Sequence, residues 1–307
     1  MSIAKSTSWC TGAATSQAIA IVVTLWHGAS FATTPPPTLG AMANATYPGI
    51  MDSPVTLHDG EWEGQPYAAG GASRPRITLV SGFRVAGDLD GDGMPEAVVL
   101  LVASTGGSGT YSHLAAVSHD GVGVAVRAVA LLGDRVQVRY ARIEDGELVI
   151  DTVEAGEGDA ACCPGEKRLR RWRLVGDALE EQPLEVLGRT GPDDLGGGIT
   201  WRLTHLARNE QVKAARPPTL SYEEEKLVGF AGCNRYFGAV VSGNGPGELK
   251  LGPLGATRMA CDADAMTLES TFLRRLESVQ KFSFIGGQLA LAYLEGERVE
   301  LLLFVPE

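Results

Sequence analysis

Three carboxylates within five residues repel one another unless a cation joins them. The segment Asp88-Leu89-Asp90-Gly91-Asp92-Gly93-Met94-Pro95-Glu96 places carboxylates at positions 1, 3, 5 and 9 of a turn, with Gly at position 6 where the chain must bend sharply. Alternate side chains then converge on one point, and the Met94 carbonyl can serve from position 7. Oxygen ligands in that arrangement suit Ca²⁺ better than the more demanding Mg²⁺. An EF-hand would need a bidentate Glu at position 12, which here is Val99. The expected ligand set is Asp88, Asp90, Asp92, Met94 and Glu96, around a structural Ca²⁺.

The flanks of the loop read as strands, not helices, and the loop resembles the nine-residue DxDxDGxxD/E connections of integrin-like β-propeller blades. A single copy does not make a propeller. The competing chemistry is a metal-dependent hydrolase with Asp88, Asp90 and Asp92 at an open metal site. No His or other general base accompanies the loop at fixed spacing, which favours the structural role.

Cysteines carry the second candidate chemistry. Cys10 precedes the apolar stretch of the N-terminus, leaving Cys162, Cys163, Cys233 and Cys261, which can pair in three ways in an oxidising compartment. A Cys233–Cys261 bridge would close 28 residues of chain and stabilise by about 3–4 kcal/mol on the chain-entropy estimate. The neighbours Cys162 and Cys163 are a different case. Consecutive Cα atoms lie about 3.8 Å apart, short of the roughly 4.4–6.8 Å of ordinary disulfides. A vicinal bond would be strained and easily reduced, so this pair is a candidate redox or copper-capturing site set against a quiet structural one.

Other segments offer less. Gly106-Gly107-Ser108-Gly109-Thr110 lacks the Lys of a phosphate loop and reads as a hairpin turn. Lys167-Arg168-Leu169-Arg170-Arg171-Trp172-Arg173 is the one basic run, and it reads as a solvated edge strand whose charges block strand-to-strand aggregation. His58, His113, His119 and His205 form no catalytic or zinc spacing.

The chain that must position these residues has 307 residues, enough for two domains. Its 26 basic and 37 acidic residues leave a net charge of −11, which disfavours nucleic acid and anionic membranes as partners. Residues 1–32 read as a secretory signal peptide: Lys5, an apolar stretch from Ala18 to Trp26, and small residues at Ser30 and Ala32. The stretch is too short to span a membrane. Export to the periplasm or the extracellular space is therefore expected, with no transmembrane span after signal removal.

Residues 33–43 are a Pro-rich leader, expected to be an extended tether. Residues 44–180 read as an all-β domain. Val136, Val138 and Tyr140 alternate with charged or polar residues and lead through Asp145-Gly146 to Leu148 and Ile150, a hairpin pattern. Ala97 to Ala103 is apolar throughout, as in a strand covered on both faces. Residues 181–197, rich in Gly, Pro and Asp, are expected as a linker. Strands are expected at Trp201–Leu206, Leu220–Tyr222, Leu227–Phe230, Glu248–Leu251, Gln288–Leu294 and Arg298–Val305. One helix capped by Asp262 would carry an apolar stripe through Met266, Leu268, Phe272, Leu276 and Val279. The fold class is mostly β with α+β.

Pro218-Thr219-Leu220, Gly232-Cys233-Asn234-Arg235-Tyr236-Phe237-Gly238, Ala256-Thr257-Arg258-Met259-Ala260-Cys261, Glu269 and the Gly287–Leu291 strand occur in this order. This C-terminal portion, residues 198–307, resembles META (HslJ-like) domains of bacterial envelope and secreted proteins. The resemblance implies an antiparallel sheet wrapped around one helix and a general link to heat shock and antibiotic or envelope stress, and it supplies no established catalytic residues or cofactor to carry over. It aligns Cys233 and Cys261 with the motif cysteines, gives Gly232 and Gly238 tight backbone roles, and makes Asn234 and Arg235 the polar residues expected at the surface. Residues 44–180, with GDLDGDG, EAVVLL and GDAACCP, resemble an uncharacterised β-rich region that precedes META domains in exported proteins. The expected function is non-enzymatic binding of an envelope component or client protein.

Overall fold

The alternating and apolar runs of the first half become two antiparallel sheets. The computed structural model describes residues 34–160 and 162–307; the signal-like segment and Cys10 lie outside them. The first sheet is a meander of five strands in sequence order: β1 (Glu61–Glu63), β2 (Arg76–Gly87), β3 (Glu96–Ser104), β4 (Thr110–His119) and β5 (Val124–Asp134). The Gly-rich segment 106–109 turns β3 into β4, as its composition suggested.

The second sheet holds β6 (Gln137–Glu144), β7 (Glu147–Glu154), β8 (Glu166–Val175), β9 (Ala178–Glu181) and β10 (Glu185–Arg189). Asp145 and Gly146 have φ of 53° and 74° and form the expected hairpin turn between β6 and β7. A register shift between Val138 and Tyr140 interrupts the predicted alternation. Val138 therefore points into the core while Tyr140 is exposed.

Phe83, Val98, Leu100 and Leu114 of the first sheet share one core with Val138, Leu148, Ile150 and Trp172 of the second. The opposite face of β3 presents Ala97, Val99, Leu101 and Ala103, all buried, to a second core. Part of its cover comes from the segment expected as a free tether, residues 33–43, and residues 45–57 supply the rest. Thr38 caps a single helical turn, α1 (Leu39–Met42), and Met42, Tyr47, Val55 and Leu57 are buried against the sheet. The proline carbonyls are also taken up: Pro36 and Pro37 accept from Arg84, and Pro35 pairs with His119. Composition suggested slack chain, but an uncovered β3 face would leave four apolar residues in water.

The basic run also departs from expectation. It lies in β8, an interior strand paired with β7 on one side and with β9 and β10 on the other. Its charges are matched by neighbours: Arg168 and Arg170 meet Glu154, Arg170 also meets Glu181, and Arg173 meets Glu147. These cations are thus engaged within the sheet and do not form a free anion-binding stripe. The segment 181–197 likewise contains β10 and a 3-10 turn, Pro192–Leu195, whose Asp194 is buried.

The C-terminal sheet runs in the order β15 (Leu249–Leu251), β14 (Arg235–Ser242), β13 (Lys226–Phe230), β12 (Thr219–Glu223), β11 (Trp201–Ala207), β18 (Arg298–Pro306), β17 (Gln288–Glu295) and β16 (Val279–Ile285). A bridge between Glu248 and Lys281, with the Phe282 N–H donating to Gly247, nearly closes it into a barrel. One helix, α2 (Ala263–Glu277), is capped by the Asp262 side chain, as expected. Phe272 and Leu276 are fully buried, whereas Met266 is exposed and Val279 already belongs to β16, so the stripe is shorter than its spacing suggested.

Residues 34–307 form one compact unit. The C-terminal core includes Val153 from β7 and Leu195 from the connecting segment. The Phe284 N–H donates to the Gln137 side chain and the Gly287 N–H to the Val138 carbonyl, joining β16 and its turn to β6.

Met42→Ala should cost about 2–5 kcal/mol, like Leu101→Ala on the facing strand, because both empty the same core. Urea unfolding of the two variants checks this; a negligible cost for Met42→Ala would mean that the leader does not hold the sheet.

Candidate functional site

The acidic loop connects β2 to β3, and local hydrogen bonds shape it. Asp88 accepts from the N–H groups of Gly91 (2.7 Å) and Gly93 (3.0 Å), and both glycines have positive φ. Oxygens of Asp88, Asp90 and Glu96 lie within 4.8 Å of one another. Asp92 instead accepts from the Met94 N–H at 2.7 Å, and the Met94 side chain is exposed. Of the expected ligand set, three carboxylates come together and Asp92 does not join them.

Glu96 begins β3 and is only 1 % exposed, with one oxygen accepting from the Leu89 N–H at 3.0 Å. Burial pushes its carboxyl above the usual range, and the charges of Asp90, Asp92 and Asp88 push the same way. Arg127 of β5 partly offsets this acidity, lying 3.3 Å from Asp90 and bonding also to Asp177. Hard oxygen donors around a shared point can hold a divalent cation of the Ca²⁺ type.

The cysteine motifs form a structural knot. Cys233 and Cys261 are disulfide-bonded with a Cα separation of 5.9 Å, joining the entry of β14 to the start of α2. Asn234, expected at the surface, is buried. Its side-chain amide donates to Glu269 of α2 (3.1 Å) and to the Met259 carbonyl (3.3 Å), while its side-chain oxygen accepts from the Thr257 hydroxyl (2.8 Å) and the Met259 N–H (2.7 Å). The motif asparagine is therefore a fastener between two loops and the helix. Arg235 is the exposed polar member. Gly232 has a φ of 117°, and a Cβ on Gly238 would collide with the Leu254 side chain, so both glycines serve close backbone geometry.

Beside this knot lies a groove of about 600 Å³. Leu206, Val212, Phe230 and Leu268 line it together with Lys213 and Arg216, and the Arg216 guanidinium stands 4.4 Å from the Phe230 ring centroid. A second cavity, about 670 Å³, opens where β2 of the first sheet, the second sheet and the C-terminal barrel meet. Arg139 reaches Asp151 at 2.9 Å and Asp194 at 3.1 Å there, and Lys167 adds a bond to Asp194 at 2.8 Å. Burial pushes Asp151 up, against the pull of Arg139. The spacing of these residues in the chain carries no signal for this cluster, because the register shift in β6 and the turn at 192–195 bring them together.

Cys162 and Cys163 are free thiols with sulfurs 2.8 Å apart, in the connection from β7 to β8. Asp159 shapes that connection, accepting from the Gly156 and Gly165 N–H groups and pairing with Arg189.

Asn234→Ala should cost at least about 2 kcal/mol in chemical denaturation, since it strands buried partners, whereas Arg235→Ala should stay within about 0.5 kcal/mol. Equal effects would contradict the fastening role. Arg189, then the Gly156 N–H, hold the Asp159 carboxyl down to about 2. A depressed carboxylate stabilises the fold above its unfolded value and loses that effect as pH falls through the folded one. The gap in melting temperature between the native protein and Asp159→Asn should therefore persist from about pH 7 to 5 and close toward about pH 2.

The META domain family model matches residues 193–304. A protein from Burkholderia xenovorans, solved by NMR, is similar at 25% identity, covering 37% of this chain and 83% of its own, with a TM-score of 0.31. No curated protein matches the chain. The disulfide, the Asn234 fastening and the helix-filled sheet thus lie within a region, residues 193–304, that is a META domain.

Proposed function

We propose that this chain is an exported META-type protein that binds an envelope component or client under stress, without catalysing a reaction, and that its acidic loop holds a structural Ca²⁺. The signal-like segment supports export, as does the Cys233–Cys261 bond, because disulfides persist in oxidising compartments. The link to stress comes from the META resemblance alone. The groove beside the disulfide offers apolar walls with charged rims, a surface suited to a ligand of mixed character.

The observation that carries the calcium reading is the convergence of Asp88, Asp90 and Glu96 at the entry to the central strand. Ca²⁺ takes about 6–8 oxygens, so carbonyl or water oxygens would complete the shell. The loop lies apart from the cavities described above, which supports a clasp between β2 and β3 over a hydrolytic centre.

Thermal unfolding in EDTA and in millimolar Ca²⁺ tests the calcium reading. Ca²⁺ at about 100 times its Kd should add about 2.7 kcal/mol and raise the melting temperature by roughly 5 °C. The D88N/D90N variant should not respond. An unchanged native protein would remove Ca²⁺ from the proposal.

A further inference from the structure

Neither the META fold nor the acidic loop uses Cys162 and Cys163. Their loop is held closed by Asp159 and abuts the C-terminal barrel: a Cβ on Gly165 would stand 2.6 Å from Pro246. The barrel seam there is the Glu248–Lys281 bridge. Cys162 is exposed and Cys163 half-buried. The two sulfurs are inequivalent. The sulfurs are 2.8 Å apart, and either thiol can donate to the other; this contact and the ammonium of Lys281 lower the Cys163 thiol, against opposition from burial and Glu248, while the contact raises Cys162.

We infer that Cys162 and Cys163 form a reactive dithiol site that takes small-molecule disulfides, with Cys163 as the attacking sulfur and Cys162 as the resolving one. The Cys163 thiolate attacks one sulfur of R–S–S–R, forms a mixed disulfide and expels RS⁻, which takes a proton from water. Cys162 loses its proton to water and attacks the Cys163 sulfur, expelling the second RS⁻. The protein gives up two electrons and two protons and becomes the vicinal disulfide; R–S–S–R becomes two RSH. Since consecutive Cα atoms are only about 3.8 Å apart, below the ordinary disulfide range, the product is readily reduced and the site is reversible. The Cys233–Cys261 bond, with its ordinary Cα separation, takes no part.

The test uses the full chain carrying Cys10→Ser, so that Cys10 contributes no thiol, mildly reduced, with 5,5′-dithiobis(2-nitrobenzoate) and glutathione disulfide as probes, and mass mapping of the products. With Cys162 and Cys163 intact, this protein should release two equivalents of aryl thiolate and end with Cys162 joined to Cys163. Cys162→Ser should release one equivalent and retain a mixed disulfide on Cys163. Cys163→Ser should react about 10-fold more slowly, and Lys281→Met should slow the first step several-fold at an unchanged melting temperature. Retention of two mixed disulfides by the protein with Cys162 and Cys163 intact, first reaction at Cys162, or native rates no faster than those in urea would each overturn the assignment. If Cys163→Ser does not fold, Lys281→Met and the mapped product decide.

Discussion

The strand Glu96–Ser104 is apolar on both faces, and the fold is arranged around burying both. Water must be excluded from each side, so the second sheet covers one face and the N-terminal segment through Leu57 covers the other. At roughly 25 cal/mol per Å² of apolar surface, neither cover is optional for a marginally stable chain. The same strand begins with the buried Glu96, which places a carboxylate at the mouth of the acidic loop. Core packing and the candidate cation site therefore share one element.

Charge is managed by neighbours. The basic run of β8 meets carboxylates on β7 and β9, and Asp194 draws Arg139 and Lys167 toward the META domain. Partly buried pairs of this kind constrain geometry more dependably than they add stability. They link the second sheet to the barrel, where Val153 and Leu195 already join the META core. Asn234 plays the corresponding part inside the META domain, filling its hydrogen-bonding capacity with Glu269, Thr257 and Met259.

Much of the local structure was legible in the sequence. Asp145-Gly146 specified its hairpin through positive φ, Asp262 specified the start of the helix through its cap, and the run Ala97–Ala103 announced a strand with two buried faces. The META region was legible through its cysteines and glycines. Other readings failed where the deciding contact is distant. The leader looked slack because its Pro-rich composition favours extended chain, yet its carbonyls and Met42 find partners in the first sheet. The basic run looked like an edge because charge favours water, yet carboxylates on adjacent strands satisfy it.

By itself the sequence determined what is encoded within a few residues: turn chemistry, helix capping, apolar periodicity, the acidic spacing and the adjacency of Cys162 and Cys163. Only the tertiary structure decided which partners these groups meet. It buried Asn234, brought Asp88, Asp90 and Glu96 together without Asp92, and put the Lys281 charge where it lowers the Cys163 thiol. The reason is physical: backbone preferences act over one or two turns of chain, whereas burial and charge pairing depend on residues far apart in sequence that meet only when the cores form.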